Sequence, residues 1–280
     1  MKQLIRGACG PIGVFDSGFG GLTILKDLRK RLPRYDYIYL GDNARAPYGV
    51  RSFDVVYSFT LQAVKWLFSQ GCPLVILACN TASAKALRSI QKNDLPSLAP
   101  DRRVLGVIRP TVEAVGALSS RRSVAVLGTP GTVSSRSYDM EIDKLFPGTT
   151  VASKACPMWV PLIENNEIDT PATDYFVDRY LAELLAQGTD PDTVLLACTH
   201  YPLLYDKIKA RLAPGVKVVK QGELVAESLA DYLRRHPEIE SRCTKGGDCR
   251  FYTSENAARF AKLAEIFLKE PIEANHVELS

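Results

Sequence analysis

LACNT (residues 77–81) and LACTH (residues 196–200) are two similar stretches, one in each half of the 280-residue chain. Each follows an apolar run, at 73–76 and at 193–195, and each leads into a stretch with helical spacing. An apolar run of this length before a polar turn is typical of a buried parallel strand. The pattern therefore predicts a parallel sheet in each half, with a cysteine at the carboxyl end of one strand.

Strand-like and helix-like segments alternate along the whole chain, which is typical of an α/β protein. We predict two similar doubly wound domains with mainly parallel sheets. The active site is expected in the cleft between them, where two carboxyl edges can face each other. Besides the two strands that precede the cysteines, the predicted strands are 11–16, 35–40, 104–108, 123–127, 151–156, 159–164, 216–219 and 251–253. The predicted helices include 53–68, 82–91, 110–118, 172–186, 223–235 and 255–268, with a linker at 95–101.

The composition is that of an ordinary globular protein, because 46% of the residues are hydrophobic and can form cores. The 35 basic and 31 acidic residues are spread along the chain, which indicates solvated helix faces and no nucleic-acid partner. Residues 1–10 lack the apolar core of a signal peptide, and no segment has the length of a membrane span. We expect a cytoplasmic protein without a membrane partner, whose seven cysteines are mostly reduced.

A glycine-rich turn, SGFGG at 17–21, follows the first strand and its terminal acid, Asp16. Glycines between a strand and a helix can expose backbone amides to a phosphate. The spacing differs from the dinucleotide fingerprint, however, and the carboxylate of Asp16 would repel a phosphate. We therefore do not expect a nucleotide, whereas a substrate carboxylate remains compatible with these amides.

Two further loops follow predicted strands. Residues 41–49 (GDNARAPYG) lie at the edge where open α/β sheets bind ligands, so they are a candidate wall of the site, although the composition also fits a surface turn. In residues 128–132 (GTPGT), Thr129 and Thr132 can cap the following helix or contact a ligand. Capping is the commoner use of threonine at such a position.

Five of the seven cysteines are assigned no chemistry. Most free cysteines are buried and inert, and we place Cys9, Cys72 and Cys156 in this class. Cys243 and Cys249 flank a short polar segment, and no second Cys or His pair lies close in sequence. We therefore assign these two to a surface loop and predict no metal site.

Cys79 and Cys198 differ from the others, because Asn-Thr or Thr-His follows them and supplies hydrogen-bond donors. A thiol, with an ordinary pKa of about 8.5, becomes a useful base when neighbouring groups stabilise or regenerate its anion. His200 shares a loop with Cys198, and Asp16 is the matching candidate in the first half. Two such thiols can act on opposite sides of one substrate carbon, one removing a proton while the other delivers one.

Five segments of the chain together resemble glutamate racemases. They occur in the same order and in register, and the resemblance runs from about residue 11 to residue 253. Any one of the segments is weak, but five in register are highly specific. The segments are VFDSGFGGLT (14–23), APYG (46–49), ACNTAS (78–83), PLIE (161–164) and ACTHYPL (197–203).

The resemblance implies a cofactor-independent racemase that interconverts L- and D-glutamate and supplies D-glutamate for bacterial peptidoglycan. By this similarity Cys79 and Cys198 are the two catalytic acid–base residues, one for each face of the α-carbon. Asp16 and His200 match the residues that assist them, and Glu164 matches a further acid. The matched substrate-binding positions are Asp16, Ser17, Tyr48, Gly49, Asn80, Thr81, Thr199 and His200, and less closely Thr129 and Thr132.

The implied chemistry agrees with the residue types. The α-hydrogen of an amino acid is very weakly acidic, and without pyridoxal phosphate no electron sink delocalises the carbanion. Hydrogen bonds to the substrate carboxylate and proton transfer in a dry cleft have to replace that sink. We therefore expect no cofactor and no metal, with glutamate as the small-molecule partner.

The resemblance also suggests a discontinuous first domain. Residues 1–107 and 222–280 would form it, and residues 108–221 would form the second domain. The predicted linker at 95–101 is consistent with this division. We further expect a homodimer.

Three alternatives stay open at this point. The nearest is a racemase of the same superfamily that acts on aspartate or a hydantoin, although the segments around Asp16 and Cys198 favour glutamate. A second is a cysteine hydrolase or amidase that uses Cys198 and His200 as nucleophile and base, which leaves Cys79 without a role. The third is an amino-acid binding module without enzymatic activity.

Overall fold

The computed structural model describes residues 7–280. The first six residues, which are part of the stretch predicted to lack a signal peptide, lie outside the described residues. Within 7–280, no helix combines the length and the apolar character that crossing a membrane requires.

Two parallel sheets form the framework of the chain. The first sheet has the strand order β10-β9-β2-β1-β3-β4 and the second has the order β6-β5-β7-β8. The strands of the first are β1 (Ile12–Asp16), β2 (Tyr37–Gly41), β3 (Leu74–Leu77), β4 (Arg103–Gly106), β9 (Cys249–Thr253) and β10 (Ala274–His276). Those of the second are β5 (Ser123–Gly128), β6 (Thr150–Ala155), β7 (Thr193–Ala197) and β8 (Lys217–Val219).

Helices connect the strands and cover the sheets. Along the first sheet these are α1 (Gly21–Arg31), α2 (Phe53–Ser69), α3 (Asn80–Lys85), α4 (Leu87–Ser89) and α5 (Leu95–Leu98), with a π-helical segment at Ile90–Asp94. Along the second they are α6 (Ile108–Leu118), α7 (Pro130–Ser134), α8 (Ser137–Leu145), α9 (Trp159–Glu164), α10 (Pro171–Leu185) and α11 (Tyr205–Lys209). The chain continues with α12 (Gly222–Arg235), α13 (Pro237–Glu240) and α14 (Ala257–Leu268), and single 3₁₀ turns lie at Asn43–Arg45 and Tyr201–Leu204.

The two sheets repeat one topology. In the first, β2, β1, β3 and β4 lie side by side, and in the second β6, β5, β7 and β8 follow the same order. Every pair of neighbouring strands is parallel. The predicted α/β class with parallel sheets is confirmed. Cys79 follows β3 and Cys198 follows β7, so the two LAC stretches occupy equivalent places.

Complete burial explains why the central strands are continuously apolar. All residues of β1, β3 and β7 are buried, as expected for parallel strands with helices on both faces. After the second sheet the chain returns to the first, because Val225 and Leu229 of α12 share a core with Leu22 and Leu25 of α1. The domain bounds at 107 and 221 stay a prediction.

Several segments differ from the sequence-based prediction. Residues 159–164 were expected as a strand and form α9, because a short apolar run looks the same in a buried strand and in a buried helix turn. Residues 95–98 of the predicted linker form α5, and Ile108 begins α6 rather than ending a strand. The three-residue strand β10 was not predicted.

The surface loop predicted for Cys243 and Cys249 is wrong. Cys243 is 3% exposed, and Cys249 is the first residue of β9. Cys249 is partly buried and packs against the apolar core of the first sheet. Burial raises the pKa of both thiols to about 12, which fits inert cysteines.

Candidate active site

A cavity of about 140 Å³ lies where the carboxyl ends of the two sheets face each other. Ten of the residues predicted for the site line it: Ser17, Tyr48, Gly49, Cys79, Asn80, Thr81, Glu164, Cys198, Thr199 and His200. Thr129 lines it as well, whereas Asp16 and Thr132 do not. Ligands of open α/β sheets bind at this edge, so the cavity is the candidate active site.

Cys79 is the residue that caps the amino terminus of α3. Its Sγ accepts a hydrogen bond from the backbone N of Ala82 at 3.4 Å and lies 3.3 Å from Ser17 Oγ. Burial and then the charge of nearby Asp16 raise the pKa of Cys79 to about 12. At neutral pH this thiol therefore carries its proton and is a potential acid.

Asp16 ends β1 beneath the cavity wall. Its Oδ2 accepts a hydrogen bond from the backbone N of Gly18 at 2.8 Å, and its Oδ1 is buried without a hydrogen-bond partner among the described residues. Burial raises the pKa of this carboxyl. No hydrogen bond joins Asp16 to Cys79, whose side-chain partner is Ser17. Any influence of Asp16 on the thiol is thus electrostatic.

Cys198 has a different neighbour, His200. The Sγ of Cys198 lies 3.9 Å from His200 Nδ1, and His200 Nε2 lies 2.9 Å from Glu164 Oε1. Burial lowers the pKa of His200, but the contacts with Cys198 and Glu164 outweigh it and raise the pKa to about 10. At neutral pH the ring is therefore an imidazolium that can donate to the sulfur on one side and to the carboxylate on the other.

The glycine turn makes room for this histidine loop. A Cβ on Gly20 would lie 2.2 Å from Thr199 Oγ1 and 2.4 Å from His200 Nδ1. The Oγ1 of Thr23, in α1, donates to the backbone O of Thr199 at 3.0 Å. Gly20 therefore allows close packing between the first sheet and the second. This packing explains the glycine without a role in phosphate binding.

Residues 41–49 form a wall of the cavity and not a surface turn. The hydroxyl of Tyr48, which is 1% exposed, donates to Asp42, and Arg45 pairs with Asp42 at 2.7 Å. The O of Gly49 accepts from the N of Gly131 at 2.7 Å. This loop of the first sheet is thereby tied to α7 of the second.

Three threonine hydroxyls form a cluster at the same junction. Thr81 Oγ1 lies 2.9 Å from Thr129 Oγ1, which lies 3.1 Å from Thr132 Oγ1. Thr129 also caps α7 by accepting from the N of Thr132. Thr129 therefore both caps α7 and lines the cavity, two roles that the sequence analysis treated as alternatives.

The sequence did not predict several features of this site. The wall formed by Val160 and Pro161 was missed, because these residues were assigned to a strand and not to α9. Cys156 also lines the cavity, although it is fully buried and was classed as inert. Gln221, which hydrogen-bonds to Asn80 at 2.6 Å, lies far from it in sequence and carried no signal. Among residues 7–280, no group of three or more His, Cys, Asp and Glu side chains is arranged to hold a metal ion.

Comparisons with known proteins relate both sequence and fold to racemases. The sequence model of the family described as Asp/Glu/Hydantoin racemase matches residues 22–229. The glutamate racemase of Ruegeria sp. (strain TM1040) is 43% identical over 271 residues, which cover 93% of this chain and 97% of that protein.

Two crystal structures have the same fold over nearly the whole chain. A glutamate racemase from Bacillus anthracis matches with a TM-score of 0.87 and 33% identity, covering 96% of this chain and 98% of that one. The glutamate racemase from Francisella tularensis subsp. tularensis SCHU S4, in complex with D-glutamate, matches with a TM-score of 0.83 and 33% identity, covering 96% and 97%.

The charge of His200 leads to a testable pH dependence. The pKa of His200, about 10, exceeds the ordinary histidine pKa of about 6.5. The contacts of the charged ring therefore add their full contribution to the free energy of unfolding below about pH 6.5, and this contribution is lost as the pH rises through 10. Replacement of the partner carboxylate, in Glu164→Gln, should lower the pKa of His200. NMR titration of the histidine ring protons measures the pKa of His200 directly.

Urea denaturation gives the matching stability result. The difference in unfolding free energy between the native chain and Glu164→Gln should be largest near pH 6 and should shrink towards pH 10. Glu238→Gln, beside the exposed His236, is the control and should leave the His200 titration unchanged. A His200 that titrates near 6.5 in the native chain would contradict this charge assignment.

Proposed function

The chain belongs to the Asp/Glu/Hydantoin racemase family, and from this we propose that it interconverts L-glutamate and D-glutamate and supplies D-glutamate for peptidoglycan synthesis. The enzyme is an isomerase that acts on a small molecule. The observation that carries the mechanism is that Cys79 and Cys198, at equivalent strand ends of two sheets, line one cavity. Relatives with glutamate in their names support the substrate.

The mechanism we propose uses the two thiols as opposed acid and base. One sulfur, as thiolate, takes the α-hydrogen, so that a C–H bond breaks and an S–H bond forms. The electron pair stays on the α-carbon and spreads into the carboxylate. The other sulfur then gives up its proton, an S–H bond breaks, and the new C–H bond forms on the opposite face.

The neighbours of each thiol suit these steps. The proton on Cys79 is available for delivery, because burial and Asp16 disfavour its anion. The His200 imidazolium, held by Glu164, is placed to donate to the sulfur of Cys198. For the opposite direction both sulfurs exchange roles, and Asp16 and His200 are the groups that assist this exchange.

Hydrogen-bond donors around the cavity are proposed to hold the substrate. Ser17, Asn80, Thr81 and Thr199 line it with hydroxyl and amide groups, and Tyr48 and Gly49 form the wall that contacts α7. The cavity is small and largely walled by apolar groups, and hydrogen bonds to a carboxylate are stronger in such surroundings than in water. Such donors stabilise the negative charge that develops when the α-hydrogen leaves.

The rival functions have less support. A hydrolase would use Cys198 as nucleophile and His200 as its partner. Cys79, which lines the same cavity, would then have no role. A preference for aspartate would require a substrate change from relatives that are 43% identical. A binding module needs no pair of thiols in its cavity.

We also propose a homodimer in the cytoplasm. Val50 and Phe53 are exposed apolar side chains close to the cavity wall, and a second copy is able to cover them. The seven cysteines are all free, which fits a reducing compartment. Light scattering of the purified protein should give twice the chain mass of 30.8 kDa, and the monomer mass would overturn the dimer.

The activity itself is tested by circular dichroism of L- or D-glutamate with purified protein and no added cofactor. The signal of either enantiomer should decay to zero. Cys79→Ser and Cys198→Ser should each reduce kcat/KM by about 10²- to 10⁴-fold, since each thiol acts once per turnover and a hydroxyl is a far weaker acid. The exposed Cys9 provides the control, Cys9→Ser, which should keep normal activity.

Two results would contradict the proposal. Near-normal turnover in either serine variant of the cavity would remove that thiol from the mechanism. A covalent acyl-enzyme seen by mass spectrometry would favour the hydrolase.

The two directions of the reaction are linked, because the enantiomers have equal free energy in water. In any variant kcat/KM must therefore fall equally in both directions. For Asp16→Asn and His200→Asn, kcat and KM can still change unequally between the two directions.

A further inference from the structure

Four buried side chains form a polar network behind the cavity. Asn80 begins α3 next to Cys79, Thr111 lies in α6, Tyr138 lies in α8, and Gln221 immediately precedes α12. Each is at most 2% exposed. Gln221 is the centre, since it hydrogen-bonds to the other three. The network therefore links the Cys79 loop to helices of the second sheet.

The donor and the acceptor of each hydrogen bond in this network can be assigned by starting from Thr111. The hydroxyl of Thr111 donates to the backbone O of Val107 at 2.7 Å, because a carbonyl only accepts. The oxygen of Thr111 is then an acceptor for Gln221 Nε2 at 2.8 Å. This contact orients the amide of Gln221, so that its Oε1 faces Asn80.

The same logic orients the amide of Asn80. Its Nδ2 donates to Gln221 Oε1 at 2.6 Å, and its Oδ1 accepts from the hydroxyl of Tyr138 at 2.7 Å. Burial raises the pKa of Tyr138, so this hydroxyl keeps the proton that it donates. The second hydrogen on Nδ2 has no acceptor among residues 7–280. One N–H of the Asn80 amide is therefore left as a hydrogen-bond donor. Because Asn80 lines the cavity, a bound molecule can accept from it.

We propose that Gln221 is a positioning residue that holds the Asn80 amide with its free N–H available to a carboxylate of the substrate. Gln221 does not line the cavity, so it acts through Asn80. The inference rests on the proposed function, because it takes glutamate as the molecule that the donor binds.

The physical reason is the difference between the two faces of an amide. Without Gln221, only the hydroxyl of Tyr138, among the described side chains, still holds the Asn80 amide, through Oδ1. The side chain can then rotate and present Oδ1, an acceptor, to a carboxylate that is also an acceptor. The substrate then loses a hydrogen bond to a charged group and meets repulsion in its place. A loss of this kind corresponds to roughly 10- to 100-fold weaker binding.

Gln221→Met tests the proposal, because methionine has a similar length and no hydrogen-bonding amide. The KM for both enantiomers should rise about 10- to 100-fold, while kcat falls less, as expected for an interaction present in the bound ground state. Thr111→Val leaves Gln221 in place but removes its anchor, and should raise KM in the same direction. It also serves as the second variant if Gln221→Met does not fold.

Ser119→Ala is the matched control for stability. It removes the hydrogen bond from Ser119 to Asp192 at 2.6 Å, at the opposite end of the second sheet. Its melting temperature should fall while its KM stays unchanged. A Gln221→Met protein that melts earlier but keeps the native KM would behave like this control and would overturn the proposal.

A double-mutant cycle separates positioning from general loosening of the fold. Asn80→Ala should raise KM by itself, and adding Gln221→Met to it should produce no further rise. If the two effects multiply instead, Gln221 does not act through Asn80 and the proposal fails. The native protein in the same assay separates failure of the racemase function from failure of the positioning role of Gln221. If the native protein does not racemise glutamate, the proposed function itself is wrong.

Discussion

Close packing between the glycine turn and the histidine loop sets the distance between the two sheets. A Cβ at Gly20 would overlap Thr199 and His200, and no other residue type lets the two edges approach so closely. Three further ties cross the same junction, from Thr23 to Thr199, from Gly49 to Gly131 and from Asn80 to Gln221. The cavity exists because these contacts hold two separate strand ends against each other.

The repeated topology gives the two thiols equivalent positions, but their neighbours break the symmetry. Cys79 lies among buried groups and an acid that keep its proton in place, whereas Cys198 lies beside an imidazolium that is held by Glu164. In the proposed mechanism one thiol is the acid and the other is the base. The duplicated fold provides the geometry, and the two thiols differ in the side chains beside them, which are Ser17 for Cys79 and His200 for Cys198.

Local patterns predicted the parallel sheets and the two cysteine loops, because apolar runs followed by polar turns encode strand ends directly. The substrate-binding positions and Glu164 came from the resemblance to glutamate racemases and not from a local pattern. Prediction failed where a tertiary contact decides. The run 159–164 is equally compatible with strand and helix, and only packing against the second sheet makes it α9. Gln221 and Asn80 are 141 residues apart, so no local pattern could join them. Cys249 looked like part of a surface loop because its neighbours in sequence are polar, yet it begins β9, pairs with Tyr37 of β2 and is partly buried against the core.

Racemisation by two opposed thiols requires that two different groups act on the two faces of the α-carbon. The most direct measurement is the racemisation of L-glutamate in heavy water, with the α-position of substrate and product followed by NMR at low conversion. Two opposed thiols predict that D-glutamate carries deuterium from the first turnover, while the remaining L-glutamate keeps its hydrogen. Product that retains the substrate hydrogen, or deuterium that enters the substrate as fast as the product, would show one group serving both faces and would rule out two opposed thiols.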